Sequence, residues 1–258
     1  MCRDTSFMTP QCIQKFCNKC STKKNKLKNK KEFSVVTFES DDPSFKTLSL
    51  AKRKLKKLYK KGGYSFYCDE EFNKSHHFKK FKYFQPKKRK NKKKHIVNWT
   101  QVVSSKKLSE LFPEFKLGHA DCVTKKKTPF KGVNCVRKLY KKFRIMEADP
   151  INLVPVIDDL KVMRSHYPFG ASSPLEPNKH CIMTLRNKKI DPPFKRKGDV
   201  ARIHRYMEQK YDIELLNKKT RKLFSDWEKI DPIDKNECIR IFNHSNRREM
   251  GIFKKLCQ

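Results

Sequence analysis

The sequence predicts an α+β fold with short strands, long loops and C-terminal helices, preceded by a basic arm. Three observations carry this. Aromatic residues alternate with polar ones over residues 64–72 and a β-branched run covers 95–103, apolar residues recur at helical spacing over 197–230, and residues 1–62 are rich in lysine with the outline of a separate arm. The chain divides accordingly into a flexible, cysteine-containing arm, 1–62, and a folded domain, 63–258.

Within the arm, "LSLAKRKLKKLYKK" (48–61) has the spacing of a basic amphipathic helix whose apolar side is Leu50, Leu55 and Leu58. "YSFYCDEEF" (64–72) reads as a strand, and the β-branched run "HIVNWTQVV" (95–103) as a second. Residues 106–142 read as a cationic loop, with Cys122 and Cys135 on either side of "TKKKTPFKG". In "ADPIN" a turn is signalled, and Pro150 keeps any helix from running into Asn152. Two helices follow "DPP" (191–193). One, over 197–212, aligns Val200, Ile203, Met207 and Tyr211; the other, over 217–230, aligns Leu223, Phe224 and Trp227. Their opposite faces, with Arg202, Arg205, Lys210, Lys218, Lys219 and Arg221, are expected to meet solvent or phosphate.

Charge narrows the partners. Against 27 Asp and Glu stand 63 Lys and Arg, a formal charge of +36, and a field of that size recruits polyanions in a salt-sensitive, sequence-indifferent way. DNA or RNA, contacted mainly through backbone phosphates, is the expected partner of a monomer. The positive charge comes in blocks: "KKNKLKNKK" (23–31), "KRKLKKLYKK" (52–61) and "PKKRKNKKK" (86–94). The last makes Lys87, Lys88, Arg89, Lys90, Lys92, Lys93 and Lys94 candidate phosphate contacts, joined by Arg202 on its helix. "PKKRK" also has the form of a nuclear import signal, so a host nucleus is an alternative address. No membrane partner is expected, because no run approaches the roughly 18 apolar residues of a spanning helix. The first twenty residues hold Arg3, Asp4, Lys15 and Lys19 without a continuous apolar core, so no secretory signal is visible. Near the start, Cys12, Cys17 and Cys20 supply half a zinc site without a second half, and zinc is not the expected ligand.

Eight pieces, in order, give the chain a family resemblance: "FYC" (66–68), "VNWTQVV" (97–103), "NC" (134–135), "FRIMEADPINLVP" (143–155), "RSHYPFG" (164–170), "DPPFKRKGDVARIHRYM" (191–207), "LFSDWEKIDPIDKNEC" (223–238) and Cys257. From about Tyr67 onward the sequence resembles the endonuclease I family, exported bacterial nucleases with a ββα-metal core. The resemblance implies export to an oxidising compartment, where Cys68, Cys122, Cys135, Cys181, Cys238 and Cys257 could form up to three disulfides, Cys122 with Cys135 first by proximity. Two further family cysteines are Glu70 and Phe81 here, the pattern expected if one disulfide is missing.

The family's chemistry is a magnesium-dependent phosphodiester hydrolysis, for which it uses W-E-H-V-V-P and R-x-M-E-x-D-x-H-N-L-x-P. By the resemblance, its His is the general base, its Glu and the Asn of H-N-L hold the metal, and an arginine before M-E meets phosphate. Carried over, Arg144 and Asn152 are kept. Gln101 stands at the base and Thr100 at the carboxylate ligand, while Ile151 and Ser104 replace the family's His and Pro. A carboxamide has no protonation equilibrium near neutral pH, and magnesium prefers a carboxylate among its ligands. The expectation is a catalytically impaired nucleic-acid-binding protein with weak or absent magnesium binding. The alternatives are an active nuclease with a displaced base, His166 first and His76, His77, His95, His119, Glu147 or Asp149 after it, and an exported protein acting through its lysine-rich arm on host nucleic acid.

Overall fold

The computed structural model describes residues 45–82, 95–164, 167–171, 181, 183–245 and 250–257, all within the compact unit Ser40–Gln258. Helices α1 (Leu48–Leu58), α2 (Ser105–Ser109), α3 (Glu114–Leu117), α4 (Val133–Leu139), α5 (Lys141–Glu147), α6 (Asp158–Arg164), α7 (Lys197–Tyr211), α8 (Lys218–Ile230), α9 (Lys235–His244) and α10 (Phe253–Leu256) surround three antiparallel strand pairs. The pairs are β1 (Gly63–Tyr64) with β2 (Glu71–Phe72), β3 (Val97–Gln101) with β4 (Leu153–Ile157), and β5 (Thr184–Arg186) with β6 (Lys189–Asp191). The fold is thus α+β, with small sheets.

The central pair runs in register from Val97 opposite Ile157 to Gln101 opposite Leu153. Every residue of β4 is buried, as a β-branched run closed on both faces requires. Pro155 has no N–H to give to a ladder, but its carbonyl accepts Phe66 N at 2.7 Å and ties the β1–β2 connection to the outer edge of β4. The strand expected over 64–72 is in fact two dipeptides around a turn, closed by Asp69 N to Ser65 O (3.0 Å) and by Asp69 in the left-handed region at φ 51°.

Helix α1 forms where its periodicity places it. Thr47 caps it, Ala51 and Leu55 are buried, and Leu58 stays exposed. It belongs to the domain's core rather than to an arm: Tyr59, just past its end, rests its ring 4.8 Å from Trp99 and shares a 2.8 Å hydrogen bond with His244. Residues 106–142 are not a plain loop, since they hold α3, α4 and most of α2. These helices are four to seven residues long, too short to display a 3.6-residue period. Ser104 starts α2 by accepting Lys107 N.

The two long helices follow their stripes, with Val200, Ile203, Met207, Tyr211, Phe224 and Trp227 all buried. The expected outer face of α7 is a correction. Arg202 is only 2% exposed, and its guanidinium is held by Glu237 of α9 and the Asp231 carbonyl, because α8 and α9 cover that side. It is a structural ion pair, withdrawn from phosphate. Gly198 explains how closely α7 meets the end of α8: a Cβ there would lie 1.9 Å from Asp231 O. Lys210 likewise turns inward to Asp149, and Arg205 and Arg221 pair with Glu228 and Glu208.

Three disulfides join Cys68 to Cys181, Cys122 to Cys135 and Cys238 to Cys257. All six family cysteines are therefore paired, the 122–135 bridge as proximity suggests. At the position of the missing pair a carboxylate does the tethering: buried Glu70 accepts Lys82 N at 2.7 Å, beside Phe81. Among the described residues no helix is long and apolar enough to cross a membrane.

Candidate active site

The last residue of β3 organises the site. Gln101 donates from Nε2 to the Glu147 carbonyl (3.0 Å) and to Ser105 Oγ (2.7 Å). Ser105 passes its own proton toward Glu147 Oε2 at 3.0 Å, and Arg137 grips both oxygens of that carboxylate at 2.7 and 2.9 Å. Glu147 is 1% exposed while the Arg137 side chain is 36% exposed, so a guanidinium that still reaches water compensates a carboxylate charge that burial would otherwise penalise. Ser105 and Arg137 were invisible to sequence reasoning. Ser105 lies four residues beyond Gln101 across the turn into α2, and Arg137 is one lysine-rich-segment cation among many.

Asn152 sits on the facing turn, fully buried. Its Oδ1 accepts Val103 N at 2.7 Å and its Nδ2 donates to Val103 O at 3.0 Å, while its own carbonyl accepts Val102 N. The side chain adds one rung to the β3–β4 ladder. Asp149 shapes the turn from below. One carboxylate oxygen accepts Ile151 N and Asn152 N; the other accepts the hydroxyls of Tyr206 and Tyr211 and the Lys210 ammonium. Arg164, buried at the last position of α6, donates to Val102 O at 2.7 Å and lies 4.2 Å above the Phe169 ring, so the strand end is held from a third direction.

Of the remaining expected residues, Thr100 pairs with Val154 in the ladder and is half-buried. Arg144 places one guanidinium nitrogen on the carbonyls of Arg137 (2.9 Å) and Lys138 (3.3 Å), where it caps the end of α4. His76 is bonded to Lys56 O, His119 lies 3.5 Å from Asp121, and His77 and His95 sit where β3 begins, His77 in a bridge to Ile96. None of these four is joined to Gln101 by a hydrogen bond among the described residues. His166, the block Lys87, Lys88, Arg89, Lys90, Lys92, Lys93 and Lys94, and Cys12, Cys17 and Cys20 lie outside the described residues.

Two further histidines are structural. His204 is pushed down to about 4 and His244 to about 3, in both cases first by burial. In its neutral form His244 donates from Nδ1 to Pro150 O and accepts the Tyr59 hydroxyl at Nε2, both at 2.8 Å.

A magnesium ion in the family's manner needs hard oxygen donors including a carboxylate. Here Thr100 offers a neutral hydroxyl, and Asn152 Oδ1 retains one lone pair beyond the one given to Val103 N. The carboxylate reached through Ser105, that of Glu147, is committed to Arg137. Among the described residues no group of three His, Cys, Asp or Glu is placed to hold a metal. This donor set does not fit magnesium.

Comparison with known proteins agrees with the arrangement of motifs. The family model for Endonuclease I matches residues 24–248. The chain is 32% identical over 173 residues to an Endonuclease-1 of Buchnera aphidicola subsp. Acyrthosiphon pisum, covering 64% of this chain and 63% of that protein. It is 30% identical over 156 residues to an Endonuclease-1 of Buchnera aphidicola subsp. Baizongia pistaciae, 57% and 61% of the two lengths. An extracellular deoxyribonuclease of Aeromonas hydrophila is 27% identical over 205 residues, 75% of this chain and 82% of that protein. The matches thus span less than two thirds of the two Buchnera proteins. With the family model covering most of its length, and the strand end, buried asparagine turn and disulfides in place, the chain belongs to the endonuclease I family.

Proposed function

We propose that the protein binds nucleic acid as an endonuclease I-like protein whose hydrolytic chemistry is impaired. One observation carries the reading: the side chain at the base position is a carboxamide, donating to the Glu147 carbonyl. An imidazole at 101 would donate its Nδ1–H to the same carbonyl and present a basic Nε2 outward, which a carboxamide cannot do. Loss of a general base lowers the rate by about 10²- to 10⁴-fold. Thr100 removes the anionic metal ligand as well, and with it the means of stabilising the leaving oxygen.

Binding is attributed to backbone phosphates, through Lys87–Lys94 and any guanidinium nitrogen of Arg144 not used in capping, by a monomer. A charge of +36 supports this without base discrimination. Export is proposed from the three disulfides and from relatives named as periplasmic and extracellular deoxyribonucleases.

The test is a Gln101→His, Thr100→Glu double variant assayed beside the parent on plasmid DNA and RNA across a panel of divalent cations. The parent is expected to leave both substrates intact and the variant to cut. A parent that degrades plasmid with Mg²⁺, and stops when His166 is changed to Ala, overturns the proposal in favour of a displaced base. A shortened chain lacking residues 1–39, which leaves α1 in place, asks separately whether the basic arm supplies the affinity.

A further inference from the structure

Tyr64 is 62% exposed, the most exposed large aromatic side chain among the described residues, at the end of β1 where it pairs with Glu71. It stands between two clefts. One, of about 550 Å³, is lined by Lys61, Lys74 and Lys79 among others; the second, of about 1120 Å³, has a mixed lining that includes Asp69, Asp199 and Glu237 together with Arg196 and Arg240. Gly62, Gly63, Tyr64 and Glu71 line both, so the tyrosine forms the ridge that separates them.

The ground beside the ring is bare backbone by necessity. Gly62 has φ +96° and a Cβ on it would lie 2.4 Å from Phe72 O; a Cβ on Gly63 would lie 2.7 Å from the Tyr59 ring. Tyr64 makes no ring contact, and Lys61, Lys74 and Lys79 make no ion pair or hydrogen bond through their ammonium groups, among the described residues. An aromatic face without a partner, beside side-chain-free backbone and three unpaired ammonium groups opposed by one carboxylate, Glu71, matches the chemistry of an unpaired nucleotide. Its base has a π-face to stack, and its phosphates have charge to neutralise. The second cleft sets carboxylates against Lys80, Lys82, Arg196 and Arg240, whereas the first holds three ammonium groups against Glu71 alone, so the lysine side of the ridge is the side with the excess positive charge that favours phosphate.

We propose that Tyr64, with Lys61, Lys74 and Lys79, forms a binding site for single-stranded nucleic acid, in which the ring stacks on one base and the lysines hold the flanking phosphates. The site rests on the nucleic-acid-binding reading given above but uses none of the residues around Gln101. A duplex keeps its bases stacked internally and has no face to offer Tyr64.

The experiment is fluorescence anisotropy on the full chain with an oligothymidylate of about fifteen nucleotides, within the span of one single-strand site. The same length is compared as oligouridylate, as an abasic oligomer and as a duplex. Tyr64→Ala is expected to weaken single-strand binding by roughly 5- to 150-fold, the range for losing one stacking partner. Tyr64→Phe retains affinity, and the abasic oligomer binds parent and Tyr64→Ala alike. The Lys61, Lys74, Lys79→Gln triple variant flattens the salt dependence by about 2 units of slope, at roughly 0.7 per phosphate. Circular dichroism confirms that these surface variants fold. If Tyr64→Ala binds single strands as the parent does, or loses duplex binding equally, the site is refuted and the broader reading stands. A parent that binds no nucleic acid at all sinks both.

Discussion

Asp149 carries more of the candidate site than any other single side chain, and Asp149→Asn tests that. The carboxylate is completely buried and takes five donors: Ile151 N (2.9 Å) and Asn152 N (3.3 Å) on one oxygen, Tyr206 OH (3.1 Å), Tyr211 OH (2.8 Å) and Lys210 Nζ (2.7 Å) on the other. A carboxamide of the same shape must turn its NH₂ toward one of these groups. Facing the turn it meets two backbone N–H donors; facing α7 it meets an ammonium that cannot accept. Either way the Lys210 charge, 13% exposed, loses its counter-ion. Breaking one side of a buried pair costs about 3–5 kcal/mol. For a chain of this size that corresponds to a fall in Tm of about 6–20 °C, read by differential scanning calorimetry and by the urea midpoint. Adding Lys210→Met to Asp149→Asn is expected to recover part of the loss, since the stranded cation is then gone. An Asp149→Asn protein within about 1 kcal/mol of the parent would refute the account, and so would a double variant less stable than the single one.

Two other outcomes follow from the same structure. His244 has a folded pKa near 3 against an ordinary value near 6.5, so the unfolded chain binds its proton first. Its contribution is present above pH 6.5 and is lost as pH falls toward 3, up to about 4–5 kcal/mol; His204, near 4, adds the same sign over a narrower range. Urea midpoints between pH 7.5 and 4 should therefore drop, and His244→Gln should flatten part of that slope. Among the disulfides, Cys68–Cys181 closes a separation of 113 residues and Cys122–Cys135 one of 13. Loop closure alone assigns them about 5 and about 3 kcal/mol, so the Cys68→Ser, Cys181→Ser variant should unfold at lower urea than the Cys122→Ser, Cys135→Ser variant.

Legibility in the sequence followed the length scale of each signal. Helices α7 and α8 are long enough to show their stripe, and the six cysteines paired as a set. The helices between residues 105 and 139 were missed because each makes only one or two turns. Arg202 was misplaced because periodicity identifies one buried face and cannot reveal that a later helix, α9, covers the opposite one with Glu237. At the site, the substitutions at Thr100 and Gln101 were readable by position. What Gln101 does instead, donating to a carbonyl 46 residues away, depends on packing that no local pattern encodes. The same holds for Tyr64, whose exposure is set by Tyr59 and Phe72 filling the other side of its hairpin.

The rung that Asn152 adds to the sheet makes that asparagine a fastener. Thr100 and Gln101 still pair as strand residues, so the base and the carboxylate can be given up without loosening the β3–β4 ladder. Removing the Asn152 amide would leave Val103 N and O without their partner in a fully buried place. In a site of this construction the side chains at positions 100 and 101 can change without cost to the ladder, while the asparagine on the facing turn cannot. An asparagine at this turn therefore testifies to a folded scaffold rather than to a particular chemistry.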